Sequence, residues 1–553
     1  MPEKAATPAM TQDTEDREGR RFRMRGRHLS GWRSGLAAFT VVLMATVVAA
    51  GGPAPGGTLT LGIRQEPSTT DPHASANGVS QRVLAHLYDD LVYMTPDGTY
   101  HPWLATSWTI APDGKTYTLT LRSGVKFHDG TPFNADAVKT SLDRIVDPAT
   151  RSTSAISAIG PYASSEVVDA STIRVHLKDP YSPFINALSQ PWLGIVSPTA
   201  VKSWGRDFAQ HPVGTGPFKF VEMVPQDHIT LVRNPDYAWP PASGKAHSGP
   251  AYLERIVVRT VPEDSTRLAT LQNGETNLIE PLPEQSVAQV QSDPNLYVLK
   301  QLEMGAGRVV LLNTQRAPTN DVRVRRAIEF AVDTNTLVKT LFYGQHVVGR
   351  SPVSPVMAGY DKSLESIYAY DPAKARQLLE EAGWRPGPAG VRVKDGQPLR
   401  MSLFIIPNIG SEPTAEYLQS QLRQVGIDLE IRALARAAWY EGINRGDHNL
   451  TLAFFIWPDP DILRTLYFST NIPFNWFHYN NPDVDRMLLQ ASRLADMKAR
   501  IGLYRQVMRK VMDDALPLTL YYENNILAAQ RTLQGVKFDA VGYPLFYDAY
   551  VTR

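Results

Sequence analysis

A chain of 553 residues with 43% hydrophobic and 20% charged content is too long for one core and too apolar for wholesale disorder, so two or more domains are expected. The absence of cysteine excludes disulfides, thiolate metal sites, cysteine nucleophiles and a lipidated cysteine anchor. The formal charge of +1 hides a basic start: beyond residue 50 there are 48 Lys and Arg against 50 acids, net −2, and a body so near neutrality argues against nucleic acid as a partner.

Residues 20–33 are basic, 36–48 are apolar, and Val48-Ala49-Ala50 offers the small residues that a signal peptidase reads. The apolar run is shorter than the ~20 residues of a membrane span. Residues 1–50 are therefore expected to be a signal peptide cleaved near Ala50, with an uncleaved anchoring helix as the open alternative. The long, mixed-charge stretch before Arg20 leaves either Met1 or Met24 as the start. Residues 51–56 read as a Pro/Gly linker, and the mature fold should begin near Gly57 with a strand at 58–63. An exported, cysteine-free protein fits the periplasm of a two-membrane bacterium.

The window 112–138, PDGKTYTLTLRSGVKFHDGTPFNADAV, holds a strand, a turn-rich loop and a helix start. Tyr117, Leu119 and Leu121 alternate with threonines, the period of a half-buried strand. His128-Asp129-Gly130-Thr131-Pro132 is turn chemistry, and Asn134 is placed to cap a helix. Strands are expected at 173–177, 229–232 and 255–259, with a helix at 200–209 ahead of the turn His211-Pro-Val-Gly-Thr-Gly-Pro-Phe. Further on, a strand at 303–312 precedes a helix capped by Asn320-Asp321, and Asp371-Pro372 opens another that stops at Gly383. A helix at 413–425 leads into a strand at 427–431, and Asn481-Pro482 opens a fourth helix. Strand and helix alternate throughout, which indicates an α/β protein.

Catalytic patterns are missing: there is no G-x-S-x-G, no H-E-x-x-H and no phosphate-binding glycine loop. The twelve histidines are scattered, and Asp459-Pro-Asp461 suits turns better than acid–base work. The distinctive stretch is 450–479, which carries nine Phe, Trp and Tyr residues. Most should pack in a core, but Trp and Tyr, with an apolar face and a polar handle, also suit a ligand cleft.

Pro102-Trp-Leu-Ala-Thr-Ser-Trp with the 112–138 window, the 211–218 turn, Asp321-Val-Arg-Val-Arg-Arg-Ala-Ile, Asp371-Pro-Ala-Lys-Ala-Arg-Gln-Leu-Leu, Tyr479-Asn-Asn-Pro-Asp-Val-Asp and Leu503-Tyr-Arg-Gln resemble, in order, the extracytoplasmic solute-binding proteins of peptide-type ABC importers. The likeness runs from about Gly57 to Arg553. It implies a two-lobed periplasmic-binding-protein fold of the large, three-subdomain type, with a hinge. Lobe I would comprise 57–96, an accessory subdomain at 97–212, 213–304 and a C-terminal return at 519–553, and lobe II would be 305–518. It further implies a non-catalytic, monomeric receptor without cofactor or metal, whose partners are a small solute, a membrane permease pair and its ATPase subunits.

In that family the segment before the Asp-Pro motif lines the pocket, which makes Phe455, Ile456 and Trp457 the first candidates for ligand contact. Trp439, Asp459, Asn475, Trp476, Ile405 and Asn408 complete the set. Dipeptide readers of the family place an aspartate where Ile456 stands and an arginine where Ile405 stands. Without those partners a buried free dipeptide would pay several kcal/mol of desolvation. A longer or capped peptide is therefore expected, with an oligosaccharide or an opine-like conjugate as the alternative. A secreted hydrolase on the same fold is the alternative of a different class.

Overall fold

The computed structural model describes residues 53–75, 78–241, 247–407, 410–470 and 474–552. The signal-peptide expectation for 1–50, part of the linker and Asn408 lie outside the described residues. No described helix is long and apolar enough to cross a membrane.

Three sheets organise the chain. The first has seven strands, in spatial order Leu296–Leu302, Asn524–Gln530, Leu278–Glu280, Thr58–Ile63, Arg255–Thr260, His228–Arg233 and Phe218–Val224. Thr58–Ile63 lies inside it with parallel partners on both sides, and Leu59, Leu61 and Ile63 are buried accordingly. The second sheet has six strands, Val347–Val348, Pro517–Tyr522, Gly305–Leu312, Leu450–Ile456, Arg400–Ile405 and Asp428–Ala433. Its parallel pairs are joined through the helices Glu412–Arg423 and Arg436–Arg445, as parallel strands require a crossover.

The third sheet is a four-stranded antiparallel unit, Ala105–Ile110, Thr116–Leu121, Thr172–Leu177 and Tyr162–Asp169. The expected alternation holds, with Tyr117, Leu119 and Leu121 buried. Asn134 caps the helix Ala135–Val146 by accepting from the Ala137 amide at 3.1 Å. That helix buries Ala135, Val138, Leu142 and Ile145 in the same core. His128 ties the window to the 211–218 turn: Nε2–H donates to the Gly216 carbonyl at 3.0 Å, and Nδ1 accepts from the Gly214 amide at 3.4 Å. A Cβ on Gly216 would stand 2.6 Å from the carbonyl oxygen of His86, so its glycine serves close backbone approach.

The expected helix at 200–209 is corrected. An α-helix covers Pro198–Trp204, and Gly205, at φ +51°, turns the chain into the 3-10 segment Gly205–Gln210. The capping expectations at Asp321, Asp371 and Asn481 match the observed helices Val322–Ala331, Pro372–Glu381 and Pro482–Arg493.

The chain leaves the first sheet after Leu302 and enters the second at Gly305, then returns between Tyr522 and Asn524. The two passages are adjacent, with the Glu303 amide donating to the Glu523 carbonyl at 3.0 Å.

Candidate functional site

A cleft of about 640 Å³ opens where the two large sheets face each other beside these passages. Arg64 follows the first sheet's Thr58–Ile63, Asp264 opens the helix Asp264–Gln272, and Glu284 stands in a 3-10 turn. From the opposite side come Arg308, Leu452, Phe454 and Tyr521 of the second sheet, and Arg436, Trp439 and Tyr440 of Arg436–Arg445. The last three fall at i, i+3 and i+4, one face of that helix.

The aromatic wall is built edge to face. Trp439 and Trp476 have ring centroids 5.2 Å apart at 79°, and Tyr440 meets Trp476 at 6.0 Å and 63°. Each indole is held by a hydrogen bond, Trp439 Nε1–H to Thr451 Oγ1 at 3.1 Å and Trp476 Nε1–H to Asn444 Oδ1 at 3.2 Å. Phe454 lies under the Arg308 guanidinium, 4.1 Å from its ring centroid.

Most of the charges are matched locally. Arg64 pairs with Asp264 at 2.9 Å, Arg308 with Glu523 at 3.0 Å, and His346 with Glu284 at 3.3 Å across the cleft. Burial is the largest single influence and raises the Glu284 carboxyl, but the His346 hydrogen bond, a backbone hydrogen bond and the nearby Arg64 together hold the acid below its ordinary range. Arg436 has no ion-pair partner among the described residues. Nor is any group of three or more His, Asp or Glu among them arranged to hold a metal.

Of the residues singled out from sequence, Trp439 and Trp476 line the cleft. Phe455 turns to the other face of its strand and packs on Trp476, 5.7 Å between centroids. Ile456 ends that strand opposite Gly305. Trp457 lies beyond it, stacked 6.4 Å from Trp192. Ile405 is 2% exposed in the core behind the second sheet. Asp459 is buried against Arg500, and Asn475 is buried with its side chain clamping the Tyr479 backbone. Sequence reading missed Arg64, Glu284, Arg308, His346, Arg436, Tyr440 and Phe454. The only local signal among these was the Arg436-x-x-Trp439-Tyr440 spacing, since the others converge from distant segments.

The family model for bacterial extracellular solute-binding proteins, family 5 Middle, matches residues 99–474. The chain belongs to that family. The glutathione-binding protein GsiB of Shigella dysenteriae serotype 1 is 31% identical over 517 residues, 91% of this chain and 96% of that protein. GsiB of Salmonella typhi is 32% identical over 480 residues, covering 85% and 89%. Among solved structures, the periplasmic binding protein DppA of Helicobacter pylori in complex with the peptide STSA has TM-score 0.75 and 29% identity, covering 91% of this chain and 99% of that one. NikA of Brucella suis in complex with Fe(III)-EDTA has TM-score 0.80 and 27% identity, covering 90% and 100%. This family 5 protein shares the two-lobed architecture of those structures.

Proposed function

We propose that this chain is the non-catalytic capture component of an ABC importer, which encloses a peptide-like solute between two lobes and presents the closed form to a permease pair driven by ATPase subunits. The observation that carries the reading is the cleft of about 640 Å³, large enough for a short peptide and walled by polar groups beside the first sheet and by rings and polar groups on the side of the second. Similarity to glutathione-binding relatives and to a peptide-bound neighbour supports the solute class. The protein would act in the periplasm after removal of residues 1–50.

On this reading the lobes meet at 303–304 and at 523, with 97–212 as the accessory subdomain of lobe I. The return is set later than the boundary after 518 because Pro517–Tyr522 still pairs in the second sheet. Two adjacent passages let the lobes close as a hinge, and the solute favours closure only through contacts the open form lacks.

The mature protein, purified and titrated with glutathione and a panel of short peptides, tests this. Saturable binding with every ligand recovered intact is expected. Hydrolysis of the ligand points instead to an enzyme on this fold, and a co-purified sugar with no peptide binding rejects the peptide class.

A further inference from the structure

We infer that Arg436 is the anion reader of the cleft and that the solute is chosen for a carboxylate rather than for a free amino group. This rests on the solute-receptor reading above. The basic side chains lining the cleft among the described residues are Arg64, Arg308, His346 and Arg436. The first three face Asp264, Glu523 and Glu284 within 3.3 Å, and those pairings also occupy the carboxylates of the cleft wall. Arg436 alone lacks an ion-pair partner among the described residues.

A guanidinium left unmatched is tolerable while the cleft is wet. Closure around a solute removes that water, and the charge then needs an anion from the solute itself. The planar fork of an arginine fits a carboxylate through two parallel hydrogen bonds. Tyr440, exposed on the same helix face and backed by the buried Trp439, leaves an apolar surface for the part of the solute next to that carboxylate.

Ile405 cannot take this role, being 2% exposed in the core. The anion reader therefore sits on a helix, on a different element from the strand position that the sequence resemblance suggested. Among the described residues the carboxylates of the cleft wall are already engaged, Asp264 and Glu523 by arginines and Glu284 by His346, so an ammonium group brought by the solute finds no unpartnered acid there.

The test is titration calorimetry of wild type, R436Q and R436K with one tripeptide in four forms: free at both ends, N-acetylated, C-amidated and blocked at both ends. Mass spectrometry of the co-purified solute accompanies it. In wild type, acetylation should leave affinity nearly unchanged, and amidation should weaken it by about ten-fold or more. R436Q should bind acid and amide alike with an unaltered melting temperature, since the side chain is exposed, and R436K should keep part of the discrimination. Equal binding of acid and amide by wild type, or discrimination retained in R436Q, overturns the inference while leaving the receptor reading intact. If none of the four forms binds, the co-purified solute decides. An anionic co-purified solute that R436Q fails to retain then upholds Arg436, and a solute without an acidic group overturns it.

Discussion

Arg500 grips Asp459 with both terminal nitrogens, Nη1 donating to Oδ2 at 2.9 Å and Nη2 to Oδ1, and the two side chains are 2% and 1% exposed. The pair ties the helix Met497–Asp513 to the turn that follows the strand Leu450–Ile456. Beside it, Tyr504 donates to Asp461 at 2.6 Å and Arg464 donates to the same carboxylate at 2.8 Å. The Asp-Pro-Asp motif is thus a buried electrostatic staple that sets the end of a cleft-lining strand.

Asp459→Ala leaves a guanidinium buried with its main partner gone, and a loss of ~3–5 kcal/mol of stability is expected. Urea denaturation of wild type and variant measures it. A change below ~1 kcal/mol would show that Arg500 finds water or another acid, and that the pair has little structural weight.

The helix caps were legible in the sequence because capping is local: Asn134, Asp371 and Asn481 each accept from amides within the next three residues. The helix at 200–209 was overextended because a single glycine's dihedral decides where it breaks. The aromatic run at 450–479 stands out in the sequence by its density, but local density cannot tell which face a ring takes. Tyr467 and Phe477 stack in the core at 4.9 Å, while Phe454, one position from a predicted contact, lines the cleft. The cleft's charges come from segments around residues 64, 284, 308 and 436, and no sequence period links them.

Gly305 opens the strand through which the chain first enters the second sheet, at φ +138°, and a bulge separates it from Gly307 at φ +68°. A Cβ on Gly305 would overlap the Phe455 carbonyl oxygen, and one on Gly307 would stand 2.6 Å from that of Tyr521. Gly305→Ala should cost about 2 kcal/mol or more, combining backbone strain with overpacking. Thermal unfolding of G305A against a surface Gly→Ala control measures it, and equal melting temperatures would show that the strand shifts freely.

His86 is 1% exposed and stacked on Phe546 at 4.7 Å, and burial pushes its imidazole down to about 3. The unfolded chain's histidine titrates near ~6.5. A depressed folded value means that the stability His86 contributes is fully present above ~6.5 and is lost as the pH falls toward 3, because the unfolded state takes the proton first. His86→Gln removes that titration. The stability advantage of wild type over H86Q should therefore shrink by about 2 kcal/mol between pH 7 and pH 5. Urea denaturation at the two pH values reads the difference directly. A constant advantage would mean that the imidazole titrates alike in both states.

Trp457 and Trp192 stack with centroids 6.4 Å apart and planes inclined at 25°, one following the six-stranded sheet and the other packed on the core of the four-stranded unit. Around them the same two bodies meet through the Ser182 amide, which donates to the Ser492 carbonyl at 2.7 Å, and through Arg464 lying over Tyr181 at 5.4 Å. A ring pair of this kind contributes ~0.5–1.5 kcal/mol beyond its buried area. If capture requires the bodies to come together, that energy favours the closed form and so enters the solute affinity. Trp457→Ala should then weaken binding of whichever peptide saturates wild type by ~1–3 kcal/mol, and Trp192→Ala should also weaken it. The double variant should lose less than the sum of the two, by about the stacking energy. Strictly additive losses would show that each ring acts alone. An unchanged affinity for Trp457→Ala would show that the pair is packing that capture never breaks.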